Sequence, residues 1–295
     1  MFCDATRSAI SSFQRARGLH DSGVCDEQTW LAIIEAGRRL GDRLLLLRAP
    51  MQRGDDVSAL QDALNRLGFD CGRPDGIFGP ATGRALHDFQ KNSGLVPDGI
   101  CGQRTVLTIE TVARQSGTGP GVASVRESEM VREQASLSTQ RIVIGQFGGL
   151  SSITRTLQRS LREAGAKVMA TDEYDAAAQA AAANRFGASV YLGLEARSEP
   201  STTISYFAVP TFESIGGRSL ATHVVSSLRR VVPVAPQPSG MRLPVLRETR
   251  MPAVLCSLGP VRDVIDSSNA LSRALVSALE SWSDGPYIVA DLPTD

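Results

Sequence analysis

The sequence predicts an α/β chain in two parts: small all-α three-helix modules first, then a mostly parallel sheet with helices on both faces. Three observations point there. A segment near the start recurs at an offset of 76 residues. The apolar spacing up to residue 115 is helical, three or four apart. From Arg141 onward, short β-branched runs alternate with amphipathic stretches, as in strand–helix–strand units. The expected boundaries are 1–48 for a partial first module and a connecting helix, 49–115 for a complete module, 116–140 for a linker, 141–283 for the sheet domain and 284–295 for a tail.

The repeat aligns Thr6, Ala9, Phe13, Gln14, Gly18, Leu19, Gly23, Cys25 and Thr29 with Thr82, Ala85, Phe89, Gln90, Gly94, Leu95, Gly99, Cys101 and Thr105. Nine identities in register mark an internal duplication. The second copy is complete. After Gly54-Asp55-Asp56, the residues Val57, Leu60, Leu64 and Leu67 form one apolar helix face, and Gly68 can cap it. The stretch Pro74-Asp75-Gly76-Ile77-Phe78-Gly79-Pro80 is turn-rich. Residues 82–91 make a second helix with Ala85, Leu86 and Phe89 inward. Gly94 ends it, Pro97-Asp98-Gly99 turns the chain, and a third helix runs from Gln103 through Val106, Ile109 and Val112. The first copy opens at its second helix, so its opening helix would lie before Met1 or the module is a remnant. Residues 116–121 read as a linker by composition, followed by a polar, charged stretch to Gln140 that would run along a neighbouring domain.

Ile142-Val143-Ile144 is a short buried strand. The next helix is capped by Ser151 or Ser152 and carries Ile153, Leu157 and Leu161, ending near Gly165. Residues 167–170 form a strand, 176–186 an Ala-rich helix ended by Gly187, and 190–192 a third strand. Ile204, Tyr206 and Ala208 alternate as in a strand with one exposed face. Residues 218–231 are helical with Leu220, Val224 and Leu228 inward. Residues 253–256 form another buried strand, and 266–282 a closing helix on Ala270, Leu271, Ala274, Leu275 and Leu279.

Lys plus Arg and Asp plus Glu each total 31, so net charge argues against a whole-chain preference for nucleic acid or an anionic membrane. The basic residues are nearly all Arg, only Lys91 and Lys167 being lysine, which reads as coding bias. The longest aliphatic cluster, 44–47, is far short of a membrane span. No basic region followed by an apolar run opens the chain, so no signal peptide is expected. The five cysteines form no Cys-x-x-Cys pair and suit free thiols in a reducing cytoplasm.

Certain blocks resemble known families. Asp75-Gly76-Ile77-Phe78-Gly79-Pro80-x-Thr82, then Phe89-Gln90-Lys91-x-x-Gly94-Leu95, then Asp98-Gly99-Ile100-x-Gly102 resemble the three-helix peptidoglycan-binding module. In the second half, Leu246-Arg247-Glu248-Thr249-Arg250-Met251-Pro252-Ala253-Val254-Leu255 resembles the zinc-dependent N-acetylmuramoyl-L-alanine amidases of cell-wall turnover. Leu161-Arg162-x-x-Gly165-Ala166-x-Val168, Ala181-Ala182-x-Asn184-x-x-Gly187-Ala188 and Arg218-x-Leu220-Ala221 support it. The combination resembles an actinobacterial group of amidase-like proteins thought to regulate the making of cell-wall precursor in the cytoplasm.

That resemblance implies a zinc site, which needs about three protein ligands, an open position for water and a carboxylate base. It places the first ligand, a His, after the first strand, where this chain reads Ile144-Gly145-Gln146-Phe147-Gly148-Gly149 and Gly148 falls on the ligand position. The segment that would carry a second ligand, a Glu, is expected to be deleted, because the next helix begins at Ser151. Glu195 falls on the third ligand position, a His in the family, and Ser257 on that of the catalytic Glu. Zinc, expected in active relatives, is therefore expected to be absent. His223, the one histidine after the linker, reads as a packed helix residue rather than a ligand. Cys256 and His223 have nothing in sequence to bring them together as a nucleophile pair. The glycines between first strand and helix leave anion binding at the helix start conceivable, without dinucleotide-fold spacing.

Candidate ligand contacts are Phe78, Glu195, Arg247 and Arg250. Phe78 reads as a core plug before a groove wall, Glu195 as a solvated strand-end carboxylate, and the arginines as surface cations unless they form a recognition patch. The reading is a catalytically inactive amidase-like protein that binds peptidoglycan or muropeptide, or a protein partner in precursor synthesis, and regulates cell-wall synthesis. Two alternatives stand beside it: a working amidase rebuilt around Glu195, and an exported wall-anchoring module with a start upstream. Nucleic acid and a membrane span are not expected. Thr118, Thr139 and Thr294 are candidate phosphorylation positions.

Overall fold

The computed structural model describes residues 3–115, 120–132, 136–209, 212–232 and 237–286. The chain divides into two compact units, one running to Arg126 and including Phe212, the other holding Glu127–Val209 and the residues from Glu213 onward. The candidates Thr118 and Thr294 and the tail from 287 lie outside the described residues. Among the described residues no helix is long and apolar enough to cross a membrane.

The first unit is helical: α1 (Asp4–Ala16), α2 (Glu27–Ala36), α3 (Asp55–Arg66), α4 (Pro80–Asn92) and α5 (Gln103–Gln115). The expected apolar face of α3, Val57, Leu60 and Leu64, packs on Leu86 and Phe89 of α4 and on Val106 and Ile109 of α5. Burying each such side chain contributes roughly 1.5–3 kcal/mol. Asp55 and Asp56 in the first turn of α3 match its helix dipole, and Pro80 opens α4 at a position that needs no N–H.

The duplication recurs as duplicated hydrogen bonding. Gln90 is 1% exposed. Its Nε2 donates to the Ile100 carbonyl at 3.0 Å and to Asp98 Oδ1 at 2.8 Å, and its Oε1 accepts the Gly99 N–H at 2.9 Å. Gln14, its counterpart 76 residues earlier, donates to the Val24 carbonyl and Thr29 Oγ1, both at 2.9 Å, and accepts the Gly23 N–H at 2.8 Å. A third clasp was not anticipated. Gln61 Nε2 donates to Asp75 Oδ1, the Ile77 carbonyl and Thr82 Oγ1 at 2.8, 3.1 and 3.1 Å, while its Oε1 accepts the Gly76 N–H at 2.8 Å. The signal was present in the sequence: Pro-Asp-Gly-Ile-x-Gly-x-x-Thr begins at both Pro74 and Pro97. Each clasp holds a glycine turn, Asp-Gly for Gln61 and Gln90 and Ser22-Gly23 for Gln14, to the helix before it and satisfies a buried amide that would otherwise be costly.

The second unit carries a seven-stranded sheet of β1 (Arg141–Phe147), β2 (Lys167–Thr171), β3 (Val190–Ala196), β4 (Ser201–Val209), β5 (Phe212–Glu213), β6 (Pro238–Met241) and β7 (Ala253–Gly259). The order is β2-β1-β3-β7-β4-β5, with β6 beside β4. The pairs β1–β2, β1–β3, β3–β7 and β4–β6 are parallel and β4–β7 is antiparallel, so the sheet is mostly parallel, as expected. Its helices are α6 (Val122–Arg132, from Glu127 onward), α7 (Ser151–Glu163), α8 (Ala176–Phe186), α9 (Ile215–Leu228), α10 (Pro244–Glu248), α11 (Val261–Asp266) and α12 (Ser268–Asp284). The helices α7, α9 and α12 cover one face through Leu157, Leu220 and Leu275, against Ile144, Leu192 and Val254. On the other face, α8 lies against β1, and α10 against β4 and β7.

Four local expectations are corrected. Neither Ser151 nor Ser152 caps α7: Leu150 is the N-cap, and the Ser151 hydroxyl instead accepts from Gln146 Nε2 at 2.9 Å. β4 has no exposed face along its middle. Ser205 and Phe207 are buried as fully as Ile204, because β4 is flanked by β7 and β6 and covered by α9 and α10. The stretch 116–140 is not linker throughout. It contains α6 and a short 3-10 turn (Leu137–Thr139), and Glu127 of α6 is buried, accepting the Ser214 hydroxyl at 2.5 Å. The helix expected at 218–231 starts at Ile215, because Ser214 accepts the Gly217 N–H and caps it.

Candidate functional site at the strand carboxyl ends

Register brings the sequence-predicted positions together. Phe147, just before Gly148, pairs with Glu195, and Glu195 pairs with Ser257, across the neighbouring carboxyl ends of β1, β3 and β7. Glu195 and Ser257 point to the same side of the sheet, two residues on from Gly193 and Leu255. The Ser257 hydroxyl donates to Glu195 Oε2 at 2.5 Å. Arg197 Nη2 lies 2.8 Å from the same oxygen, an ion pair with side chains 36% and 25% exposed. Arg197 was missed. The strand period of two, running from Glu195 to Arg197, was the available signal.

The donor set does not fit a zinc ion. The three positions supply a glycine, a carboxylate already held by a hydroxyl and a guanidinium, and a serine. Among the described residues no group of three His, Cys, Asp or Glu side chains is placed to hold a metal. An adjacent guanidinium also opposes a second cation.

Behind the strand ends lies a buried polar knot. Tyr191 donates its hydroxyl to Gln179 Oε1 at 2.7 Å, and Gln179 Nε2 donates to the carbonyls of Gln146 at 3.1 Å and Glu173 at 2.5 Å. Burial pushes the Tyr191 phenol far above its usual range, so it stays protonated as a donor. Gly145 makes room: a Cβ there would lie 2.0 Å from Gln179 Oε1 and 2.1 Å from the Tyr191 hydroxyl.

The other candidates do not converge on this crevice. Phe78 is fully buried in the core of the first unit, which removes it as a groove wall. Arg250 is exposed before the amino end of β7, away from Ser257, with its N–H on Asn184 Oδ1 at 3.0 Å. Arg247 sits half-buried within α10 rather than flanking a strand. His223 on α9 is half-buried and its Nδ1 meets Ser281 Oγ of α12 at 3.1 Å. Cys256 is sealed in the sheet core, where burial pushes its thiol up to about 12, so no reactive Cys–His pair forms. Thr139 is exposed, with its hydroxyl donated to the Ser136 carbonyl at 2.8 Å.

Comparison with known proteins agrees with this layout. Residues 1–33 and 53–109 match the peptidoglycan binding domain family, PG_binding_1. The N-acetylmuramoyl-L-alanine amidase CwlM of Mycobacterium tuberculosis (strain ATCC 25618 / H37Rv) is 31% identical over 308 residues, spanning 92% of this chain and 75% of that protein. A spore cortex-lytic enzyme of Bacillus cereus is 46% identical over 52 residues, 18% of this chain and 20% of that one. The crystal structure of the N-acetylmuramyl-L-alanine amidase Ami1 from Mycobacterium smegmatis aligns with a TM-score of 0.43 at 12% identity, over 50% of this chain and 99% of that chain. The match of the helical modules to the peptidoglycan binding domain family and the identity with an amidase over nearly the whole chain make this an amidase-like protein with a peptidoglycan-binding region. The chain belongs to the N-acetylmuramoyl-L-alanine amidase family.

Proposed function

We propose that this chain is a non-catalytic member of its family. It binds peptidoglycan fragments or precursor, or a protein partner, and regulates cell-wall synthesis. One observation carries the reading: at the strand carboxyl ends, Glu195 is held by Ser257 and Arg197, while Gly148 supplies no side chain. A hydrolytic zinc site needs convergent ligands and a free carboxylate base. Here the carboxylate is engaged and the nearest cation is a fixed guanidinium. The helical modules match a peptidoglycan-binding family, which supports a glycan–peptide ligand. The cysteines, all unpaired, support residence in a reducing cytoplasm.

The test is metal analysis and muropeptide incubation on the same purified full-length sample. Zinc well below one equivalent, no release of peptide from muramic acid, and retention on insoluble peptidoglycan are expected. One tightly held zinc per chain with amide cleavage, abolished by Glu195→Ala, would sink the proposal and establish the rebuilt amidase instead.

A further inference from the structure

The junction between β1 and α7 sits at the topological switch point of the sheet. From β1 the chain passes through α7 to β2 on one side, then through α8 across the opposite face to β3 on the other. In open α/β sheets of this strand order, the crevice outside the carboxyl ends at that point is where ligands bind.

Several features of this junction favour an anion. Gly148 and Gly149 have φ of +85° and +73°, and a Cβ on either would meet nothing within 4 Å, so the turn is open to solvent and its backbone requires glycine. The helix α7 has 13 residues, a leucine at its N-cap and no acidic residue in its first turn. Its first intrahelical bond runs from the Thr154 N–H to the Leu150 carbonyl at 3.0 Å. The N–H groups of Ser151, Ser152 and Ile153 therefore project from a positive helix end without a side-chain cap.

The independent observation is Gln146. It is 7% exposed, its Nε2 meets Ser151 Oγ at 2.9 Å, and its Oε1 is buried with no hydrogen-bond partner. A serine hydroxyl both donates and accepts, so the amide can turn over: Oε1 then accepts the Ser151 O–H and Nε2 offers its N–H at the helix start. Arg155, one turn along, has its Nε 3.3 Å from the Ser151 carbonyl and adds a cation where the helix dipole favours anions. Of the acidic neighbours, Glu195 is held by Arg197 and Ser257, while Asp172 and Glu173 beyond β2 are exposed and screened.

We propose that this junction is a phosphoryl-binding site for the terminal phosphate or diphosphate of a small organic molecule. Three helix-end N–H groups, the Ser152 hydroxyl and the turned Gln146 amide suit a tetrahedral oxyanion with several free oxygens. This inference does not depend on whether the crevice also takes muropeptide, so a phosphate titration and a peptidoglycan retention assay fail separately.

The experiment is calorimetric titration of the full-length protein with inorganic phosphate, inorganic pyrophosphate and a nucleoside diphosphate. Saturable one-to-one binding is expected, stronger for the diphosphates. Ser152 is exposed, and Ser152→Asp places a carboxylate in the first turn of α7. It should leave the melting temperature equal or higher while weakening pyrophosphate binding about tenfold or more. Gln146→Leu should weaken the same binding several-fold. No saturable binding by the parent protein overturns the proposal, and so does parental affinity in a folded Ser152→Asp variant.

Discussion

Gln61 shows how much one buried side chain organises. It makes three donor contacts and takes one backbone N–H, all within a turn that opens α4. Gln61→Leu should destabilise the first unit by about 1–3 kcal/mol, because the Gly76 N–H loses its partner while remaining buried; the Ile77 carbonyl keeps the Gly79 N–H. Urea denaturation followed by far-ultraviolet dichroism measures this, and an unchanged midpoint would contradict the clasp. Gln14 and Gln90 were visible in the sequence as repeat identities, whereas their hydrogen bonding was not. Glu195 and Ser257 were likewise named from the sequence, but as separate positions. Their 2.5 Å contact depends on the register of β3 and β7, which no spacing along the chain encodes, whereas the Arg197 ion pair follows the strand period of two.

Among the secondary-structure elements, α8 is the clearest example of a helix read correctly at both ends. Asp175 caps it by accepting the N–H groups of Ala177 and Ala178, and Gly187 leaves it in the left-handed conformation. Its placement on the sheet depends on Asn184. Nδ2 donates to the Glu248 carbonyl at 2.8 Å, and Oδ1 accepts the Arg250 N–H at 3.0 Å, so one amide ties α8 to the chain leaving α10. Asn184→Ala should cost about 0.5–1.5 kcal/mol by removing both hydrogen bonds, of which the one from Arg250 is open to water. Trp282 is fully buried in the second unit while Trp30 is 57% exposed, so the shift of buried-tryptophan fluorescence during unfolding reports the loss. At β4 the alternation of the sequence suggests a half-exposed strand, and the fold departs from it. Its Ser205 and Phe207 are covered because strands lie on either side and helices on both faces. The short elements β6, α10 and α11 were missed, since four to six residues carry too little periodicity to announce themselves.

For the molecule as a whole, pH dependence follows from His223. Burial holds its imidazole below the ordinary value, opposed in part by a hydrogen bond with the Gly285 backbone. The unfolded chain therefore binds the proton more readily, so this contribution to stability is full above about pH 6.5 and is lost as pH falls toward the lower folded value. His223→Gln should flatten the fall in stability of the second unit between about pH 7 and about pH 5. Urea midpoints read from Trp282 across that range test it, and an unaltered slope would assign the effect elsewhere. The division into helical modules and a mostly parallel sheet, and the scarcity of histidine, followed from the residues alone. Helical and strand periodicities are local, and histidine scarcity is a matter of composition. Which carboxylate meets which cation, which serine caps and which instead receives a buried amide, and the opening of the β1–α7 turn at a switch point were decided by the folded chain. Those outcomes depend on strand order and on contacts between residues far apart in sequence, where small differences in distance change which partner wins.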